Sequence, residues 1–165
     1  MVNKSFFLFC LVWRDKIDMR VKIRPVDPKD FKSIWLIERL SFKTPYSRSL
    51  LRYLMQCSHV FLVAELEGKV VGYVCGVIER REQVLGHIFS IAVHPEYRRM
   101  RIGTALMIEA INMLKRRGAQ KIYLECRVSN IAAIKLYEKL GFRVTKRIKS
   151  YYRDGEDAYI MELEL

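Results

Sequence analysis

The stretch of sequence that decides the fold is GHIFSIAVHPEYRRMRIGTA, residues 86–105. Its first eight residues form an apolar run typical of a buried strand, and His94-Pro95 ends that run with a turn. The chain becomes basic at Arg98 and then opens an amphipathic helix. The first N–H groups of a helix have no intrahelical partner, and arginine forks match phosphate oxygens. The sequence therefore predicts an anion-binding site at this loop.

Around this stretch, apolar alternation predicts an α/β fold of about seven strands and about four helices. The strands are expected near residues 19–25, 60–65, 70–79, 84–93, 121–127, 142–150 and 157–163, and the helices after Asp27 or Asp30, over 47–57, over 101–117 and from Ser129 or Asn130 to Gly141. Such a pattern is typical of a mixed central sheet with helices on its faces. The chain is expected to form one domain over residues 19–165. Residues 1–18 are expected to be an extension of that domain, which an upstream translation start would explain.

Composition narrows the class of protein further. The net charge of +12 indicates an anionic partner such as a nucleotide cofactor, RNA or the ribosome, although a solvated thermophile-like surface explains the outer basic clusters equally well. The four cysteines and three histidines show no metal-ligand spacing, so we expect no metal and a reducing, cytoplasmic location. The apolar run at residues 6–13 is too short to cross a membrane, and no secretory cleavage site follows it. Walker and dinucleotide-binding glycine motifs are absent from the sequence.

A second informative stretch is YLECRVSNIAAIKLYEKLGF, residues 123–142, which reads as a strand followed by a helix. Strand alternation places Glu125 on the face opposite Cys126, and Tyr137 on the next helix can approach the same strand end. A carboxylate and a phenol brought together there form an acid–base pair in outline. Taken from the pattern alone, a pair with Arg127 explains Glu125 better than catalysis does, and core packing explains Tyr137 better.

The two stretches resemble the GNAT superfamily of acetyl-CoA-dependent N-acyltransferases, in particular its RimI-like and archaeal-type protein N-terminal acetyltransferases. The resemblance covers residues 19–165. It rests on the arginine loop, on L-E-x-R-x-S-N at 124–130, on A-I-x-L-Y-E-x-L-G-F at 133–142 and on YYRDGEDAYIM at 151–161. It implies a GNAT fold with splayed strands 4 and 5, and direct transfer of acetyl from acetyl-CoA to a protein α-amine in a ternary complex.

The resemblance also implies a role for each matching position. Glu125 is the expected general base and Tyr137 the expected acid for the leaving thiolate. His87 is a candidate auxiliary base because strand alternation places it on the face of Phe89 and Ile91, and a structural histidine explains it at least as well. The expected cofactor-binding residues are Ile91, Ala92, Val93, Arg98, Arg99, Met100, Arg101, Ile102, Gly103, Thr104, Asn130 and Tyr137. The expected peptide-binding residues are Glu38, Phe42, Pro45, Tyr46, Tyr151 and Tyr152, for which core and loop packing is the competing explanation.

One residue departs from the family pattern, because Arg101 stands where glycine is usual. An arginine at positive φ costs about 1–2 kcal/mol. We therefore expect negative φ at Arg101 and retained cofactor binding.

Three functions remain in competition on the sequence. The favoured one is acetylation of the α-amino groups of nascent chains or of a ribosomal protein, with the ribosome as a further partner through the basic surface and a monomer or weak dimer as the assembly. The alternatives are a GNAT enzyme for small amines and a non-catalytic ribosome- or RNA-binding domain. No membrane partner is expected.

Overall fold

The computed structural model describes residues 20–165, so the predicted extension over residues 1–18 lies outside the described residues. Within them the strands are β1 Val21–Pro25, β2 Val60–Leu66, β3 Lys69–Arg80, β4 Val84–Val93, β5 Lys121–Arg127, β6 Arg143–Ile148 and β7 Ala158–Glu164. The helices are α1 Phe31–Ser41, α2 Arg48–Cys57, α3 Ile102–Arg116 and α4 Ile131–Lys139. The predicted elements are confirmed, and most of their ends differ by only one or two residues.

The strands form a single sheet in the order β1-β2-β3-β4-β5-β7-β6. All neighbours pair antiparallel except β4 and β5, which are parallel. A parallel pair needs a crossover connection, and α3 provides it. This confirms the predicted mixed α/β sheet.

Each face of the sheet carries its own apolar cluster. On one face, α3 buries Ile102, Leu106 and Ile111 against β2, β3 and β4, and Ile134 of α4 joins the same cluster. On the other face, α1 and α2 bury Phe31, Ile34, Ile37 and Leu51 against Phe61 and Tyr73. The predicted end of α3 is confirmed at Gly118, whose φ of +90° suits glycine.

The parallel strands β4 and β5 separate before they end. Pairing extends from Leu85–Lys121 to Ile88–Leu124, whereas the strands continue to Val93 and Arg127. The predicted splay of strands 4 and 5 is therefore confirmed. It opens a gap in the sheet, at the edge where β4 runs into the arginine loop.

A bulge in β4 lies next to this gap. Cys75 of β3 pairs with Ser90 and Gly76 with Ile88, which leaves Phe89 as an extra residue. A Cβ on Gly76 would come within 2.6 Å of the His87 carbonyl oxygen, so only glycine fits there. His87 and Phe89 are in edge-to-face ring contact, but Ile91 packs on the opposite face. The prediction that His87, Phe89 and Ile91 share one face is wrong for Ile91, because a bulge reverses strand alternation.

No helix between residues 20 and 165 has the length and apolar character that a membrane span requires.

Candidate functional site

A cleft of about 1070 Å³ occupies the gap between the splayed strands. It is lined by the end of α1 and the following loop, by β4, by the arginine loop and the start of α3, by the end of β5, by α4 and by Tyr151-Tyr152. Nearly all the predicted site residues line it. The exceptions are Pro45, which is exposed outside the lining, Met100, which packs against the core cluster, and His87, which lies behind the lining as a partner of Glu125.

Two β4 residues turn backbone groups toward the gap. The His94 N–H donates to the Val71 carbonyl at 2.9 Å. Hydrogen-bonded and non-bonded pairs alternate along antiparallel strands, so Ala92 bonds to β3 while Ile91 and Val93 direct their N–H and C=O groups away from it. The Val93 carbonyl accepts from Arg98 Nε at 3.2 Å. Of the three predicted β4 residues, Ile91 and Val93 thus have backbone groups suited to a ligand.

The arginine loop is held in an unusual backbone conformation. Arg99 and Arg101 have φ values of +64° and +62°. The expectation of negative φ at Arg101 is therefore wrong: the chain turns from the short 3₁₀ helix Pro95–Tyr97 into α3 through this residue, which precedes the first helical position in left-handed geometry. Each such residue costs about 1–2 kcal/mol.

The donors at this loop suit a polyphosphate. The start of α3 has no side-chain cap, and within residues 20–165 the N–H groups of Ile102, Gly103 and Thr104 have no acceptor. No carboxylate in that part of the chain pairs with Arg98 or Arg99. Unpaired N–H groups, the helix dipole and guanidinium groups are the partners that phosphates prefer.

On the opposite side of the gap, Glu125 lies on β5 with its carboxylate bonded to a histidine. His87 Nε2 is 2.8 Å from Glu125 Oε2, and His87 Nδ1 is 3.5 Å from Glu79 Oε1. The imidazole stacks on Tyr123 with ring centres 4.2 Å apart, and the Tyr123 hydroxyl donates to Glu79. Because Glu125 pairs with His87, the alternative of a pair with Arg127 is wrong. Neither Glu79 nor Tyr123 was singled out as a site residue from the sequence.

Tyr137 reaches the cleft from α4 and is 6% exposed. Its ring packs 6.0 Å from that of Phe142. Within residues 20–165 its hydroxyl has no hydrogen-bond partner, and burial raises the pKa of Tyr137 well above its usual value, with Cys126 and Tyr152 nearby. The phenol is therefore neutral, and its proton is available to a ligand.

Asn130 is the N-cap residue of the same helix, α4. Its side-chain oxygen accepts from the Ala133 N–H at 3.2 Å, which caps α4 as the sequence predicted. Its amide nitrogen remains a donor at the cleft, since a cap of this kind uses only the oxygen.

The predicted peptide-binding residues form the other wall. Glu38 is 1% exposed and accepts hydrogen bonds from the Tyr73 hydroxyl and from the Tyr46 N–H at 2.8 Å. Burial raises the pKa of Glu38, although both hydrogen bonds oppose that shift. The Tyr46 hydroxyl donates to the carbonyl of the bulged Phe89 at 3.3 Å. Glu38 thus holds the loop that carries Phe42 and Tyr46, so the packing explanation applies to Glu38 even at the cleft.

Tyr151 and Tyr152 complete this wall from the segment between β6 and β7. Their rings meet edge to face at 5.1 Å, and the Arg127 guanidinium lies 3.9 Å over the Tyr152 ring. The part played by Arg127 was missed from the sequence, because its acidic partners Asp154 and Glu156 lie far along the chain. The Asp154-Gly155 turn was the only local signal.

Comparison with known proteins places the chain in a family. Residues 29–142 match the model of the acetyltransferase (GNAT) family. The N-alpha-acetyltransferase of Sulfurisphaera tokodaii is 41% identical over 155 residues, covering 87% of this chain and 93% of that protein. The crystal structure of the ribosomal-protein-S18-alanine N-acetyltransferase from Escherichia coli matches with a TM-score of 0.79 and 31% identity, covering 87% of this chain and 93% of that one. A chain of the NatC complex bound to Gag peptide and CoA matches with a TM-score of 0.82 and 28% identity, covering 89% and 99%. The chain therefore belongs to the GNAT acetyltransferase family, and it is an acyltransferase.

Proposed function

We propose that this protein transfers the acetyl group of acetyl-CoA to the α-amino group of protein N-termini. The observation that carries the proposal is one cleft with an anion-binding loop on one side, a histidine-bound carboxylate on the other and a buried phenol between them. The similarity to an N-alpha-acetyltransferase at 41% identity supports this choice of amine.

When bound, acetyl-CoA supplies an acetyl group activated as a thioester. Arg98, Arg99 and the N–H groups at the start of α3 are the proposed partners of its phosphates. The backbone groups of Ile91 and Val93 are proposed to orient the arm that follows, since they point away from β3 and into the gap. Arg101 and Asn130 line the same side of the cleft.

Glu125 is the proposed general base. A protein α-amine has a pKa of about 7.7–8.0, so much of it is protonated at neutral pH and has to lose a proton before it attacks. The Glu125 carboxylate takes this proton at an oxygen, directly or through water. His87, whose Nε2 is 2.8 Å from Oε2 of this carboxylate, orients it and is the proposed auxiliary base.

Tyr137 is the proposed acid. Its hydroxyl proton passes to the leaving sulfur, and burial keeps the phenol neutral until then. N–H groups of the splayed β4 segment stabilise the negative charge that develops on the carbonyl oxygen.

Direct attack in a ternary complex agrees with the chemistry of Cys126. This thiol is buried on the face opposite Glu125, and burial raises the pKa of Cys126 to about 12. A thiol with so little thiolate is a poor nucleophile, so an acyl-cysteine route is not proposed.

The proposed substrates are nascent chains or a ribosomal protein, and the proposed setting is the cytoplasm. The E. coli relative is described as acting on ribosomal protein S18, and the NatC structure holds a peptide together with CoA. Contact with the ribosome through the basic surface, and a monomer or weak dimer as the assembly, stay predictions.

The test is incubation of the protein with acetyl-CoA and peptides that differ in their first two residues, followed by mass spectrometry. We expect acetylation of the α-amine of a subset of these peptides. A matched set with blocked α-amines and free lysines is the control. Acetylation of small polyamines with no modification of any peptide would contradict the proposal, and coenzyme A binding with no transfer to any amine would indicate a non-catalytic domain.

A further inference from the structure

The segment that carries Tyr151 and Tyr152 is tied to β5 by a group of ionic contacts. Arg127 Nη1 donates to both carboxylate oxygens of Asp154 at 2.9 Å and to Glu156 Oε2 at 2.7 Å. The other Glu156 oxygen accepts from the Ser129 N–H at 3.1 Å and from the Ser129 hydroxyl at 2.6 Å. We name Arg127, Ser129, Asp154 and Glu156 the β5 clamp.

The β5 clamp holds the turn at residues 152–156, which also has hydrogen bonds within its own backbone. The Gly155 N–H donates to the Tyr152 carbonyl at 2.8 Å, and the Tyr152 N–H donates to the Glu156 carbonyl at 3.0 Å. The Val128 N–H also donates to the Asp157 carbonyl at 3.2 Å. The turn is therefore a compact unit whose position over the cleft depends on what anchors it.

Arg127 connects the β5 clamp to the cleft. Its guanidinium lies 3.9 Å over the Tyr152 ring, which in turn meets Tyr151 edge to face at 5.1 Å. Both tyrosines line the cleft together with Glu125. Burial raises the pKa of each tyrosine, and the charge of Glu125 adds to that shift. Arg127 and Glu125 also point to the same side of β5, two residues apart.

A lysine could not make this set of contacts. Arginine offers a planar fork that bonds several carboxylate oxygens and stacks on an aromatic ring at the same time, whereas lysine is a point charge. The side chain of Arg127 is only 16% exposed, as is expected of an ion pair partly withdrawn from water. The pairing with Arg127 lowers the pKa of Asp154, and it adds to the lowering of the pKa of Glu156 by Ser129.

From these contacts we infer that Arg127 is a positioning residue that fixes Tyr151 and Tyr152 as the peptide wall beside Glu125. It sets how well a peptide N-terminus is bound, without taking part in the proton transfers. The inference rests on the proposed function of the cleft.

The test compares Arg127→Lys, Arg127→Gln and Asp154→Asn with the unaltered protein. We expect the KM for the peptide to rise roughly tenfold in the arginine variants, because charged hydrogen bonds and a ring contact are lost. The KM for acetyl-CoA should stay unchanged, since the arginine loop is untouched. Amide hydrogen exchange of residues 150–157 should become faster in the same variants.

Arg147→Gln is the matched control. Arg147 pairs with Asp157 at 2.7 Å on the same hairpin but does not line the cleft. Its loss should leave the KM for the peptide unchanged.

Two results would overturn the inference: folded Arg127 variants with unaltered peptide KM and exchange, or an Arg147 variant with the same defect as the Arg127 variants. Should Arg127→Gln not fold, Arg127→Lys and Asp154→Asn decide alone. If the unaltered protein acetylates no peptide, the proposed function fails, while the exchange measurement still tests the clamp.

Discussion

The two loops that border the cleft differ in whether their charged side chains are paired within the protein. In the arginine loop, Arg98 and Arg99 have no carboxylate partner within the described residues, and the start of α3 leaves three N–H groups without acceptors. In the segment 149–157, Asp154, Glu156 and Asp157 all accept hydrogen bonds from arginines or backbone N–H groups. The first loop presents donors to a ligand, and the second satisfies its carboxylates within the protein.

The difference indicates two kinds of binding surface in one cleft. A surface on which Arg98 and Arg99 have no carboxylate partner among the described residues, and on which helix N–H groups lack acceptors, suits a ligand that brings negative charge, as coenzyme A does. A surface whose charges are paired within the protein keeps its shape and offers mainly aromatic contact, which suits a peptide of varying sequence. Glu125 and Tyr137 lie where the two surfaces meet.

The largest effect is expected from Glu125→Gln, which removes the proposed base while keeping the shape of the side chain. We expect kcat to fall by roughly 10²–10⁴-fold, the usual contribution of general base catalysis, with coenzyme A affinity unchanged. Glu162→Gln is the control, because Glu162 is a partly exposed carboxylate on the neighbouring strand β7 that pairs with Lys121 and does not line the cleft. Steady-state kinetics and calorimetry measure the two quantities. Equal turnover in both variants would remove Glu125 from the mechanism.

Tyr137→Phe should have the next largest effect, a fall in kcat of roughly 10²-fold, because the proton donor for the leaving sulfur is lost while the ring still packs on Phe142. An acid acts below its pKa, and burial raises the pKa of Tyr137. Titration of this phenol should therefore cause no fall in kcat up to about pH 10, the ordinary tyrosine pKa. The exposed Tyr53→Phe is the control. A fall in kcat between about pH 8 and pH 10 in the unaltered protein that is absent from Tyr137→Phe would contradict this assignment.

A smaller effect is expected from Arg99→Ala on the ligand-facing loop. The dissociation constant of coenzyme A should rise roughly tenfold, as expected for one lost charge-assisted contact. The affinity should also become less sensitive to salt, since one charge contact is missing. Arg143→Ala removes an equal charge from the exposed edge strand β6 and should leave the affinity unchanged. An equal change in both variants would show that overall charge, rather than this loop, attracts the ligand.

The smallest effect concerns the backbone of the same loop. Arg101→Gly should be about 0.5–1 kcal/mol more stable than Arg101→Ala, because glycine avoids the cost of positive φ, which exceeds its loss of chain entropy. At Arg98, where φ is −69°, the order of the glycine and alanine variants should reverse. Denaturant unfolding gives all four free energies. The same order at both positions would contradict the left-handed geometry of Arg101.

Much of the fold could be predicted because its signals are local. Ser47 and Asn130 cap α2 and α4 through their own side chains, and Gly118 ends α3, all within one turn of the helix concerned. The alternation of β5 likewise placed Glu125 and Cys126 on opposite faces. Such features depend on residues that are neighbours in the chain.

Other features could not be predicted because their causes lie far apart in the sequence. The bulge at Phe89 depends on the close approach of Gly76 from β3. The partner of Glu125 is His87, which lies 38 residues away, so the nearby Arg127 was the wrong choice. The positive φ of Arg101 follows from the angle at which the chain enters α3.

The sequence by itself determined the order of strands and helices along the chain and the positions of the basic loop, Glu125 and Tyr137 on elements that border one cleft, because periodicity, capping and residue chemistry are local properties. The acid–base roles of Glu125 and Tyr137 stay proposals. The tertiary structure alone decided where β4 and β5 separate, which side chain holds Glu125, and which groups surround Arg127. Those outcomes depend on register and on contacts between distant segments, which form only when the sheet is assembled.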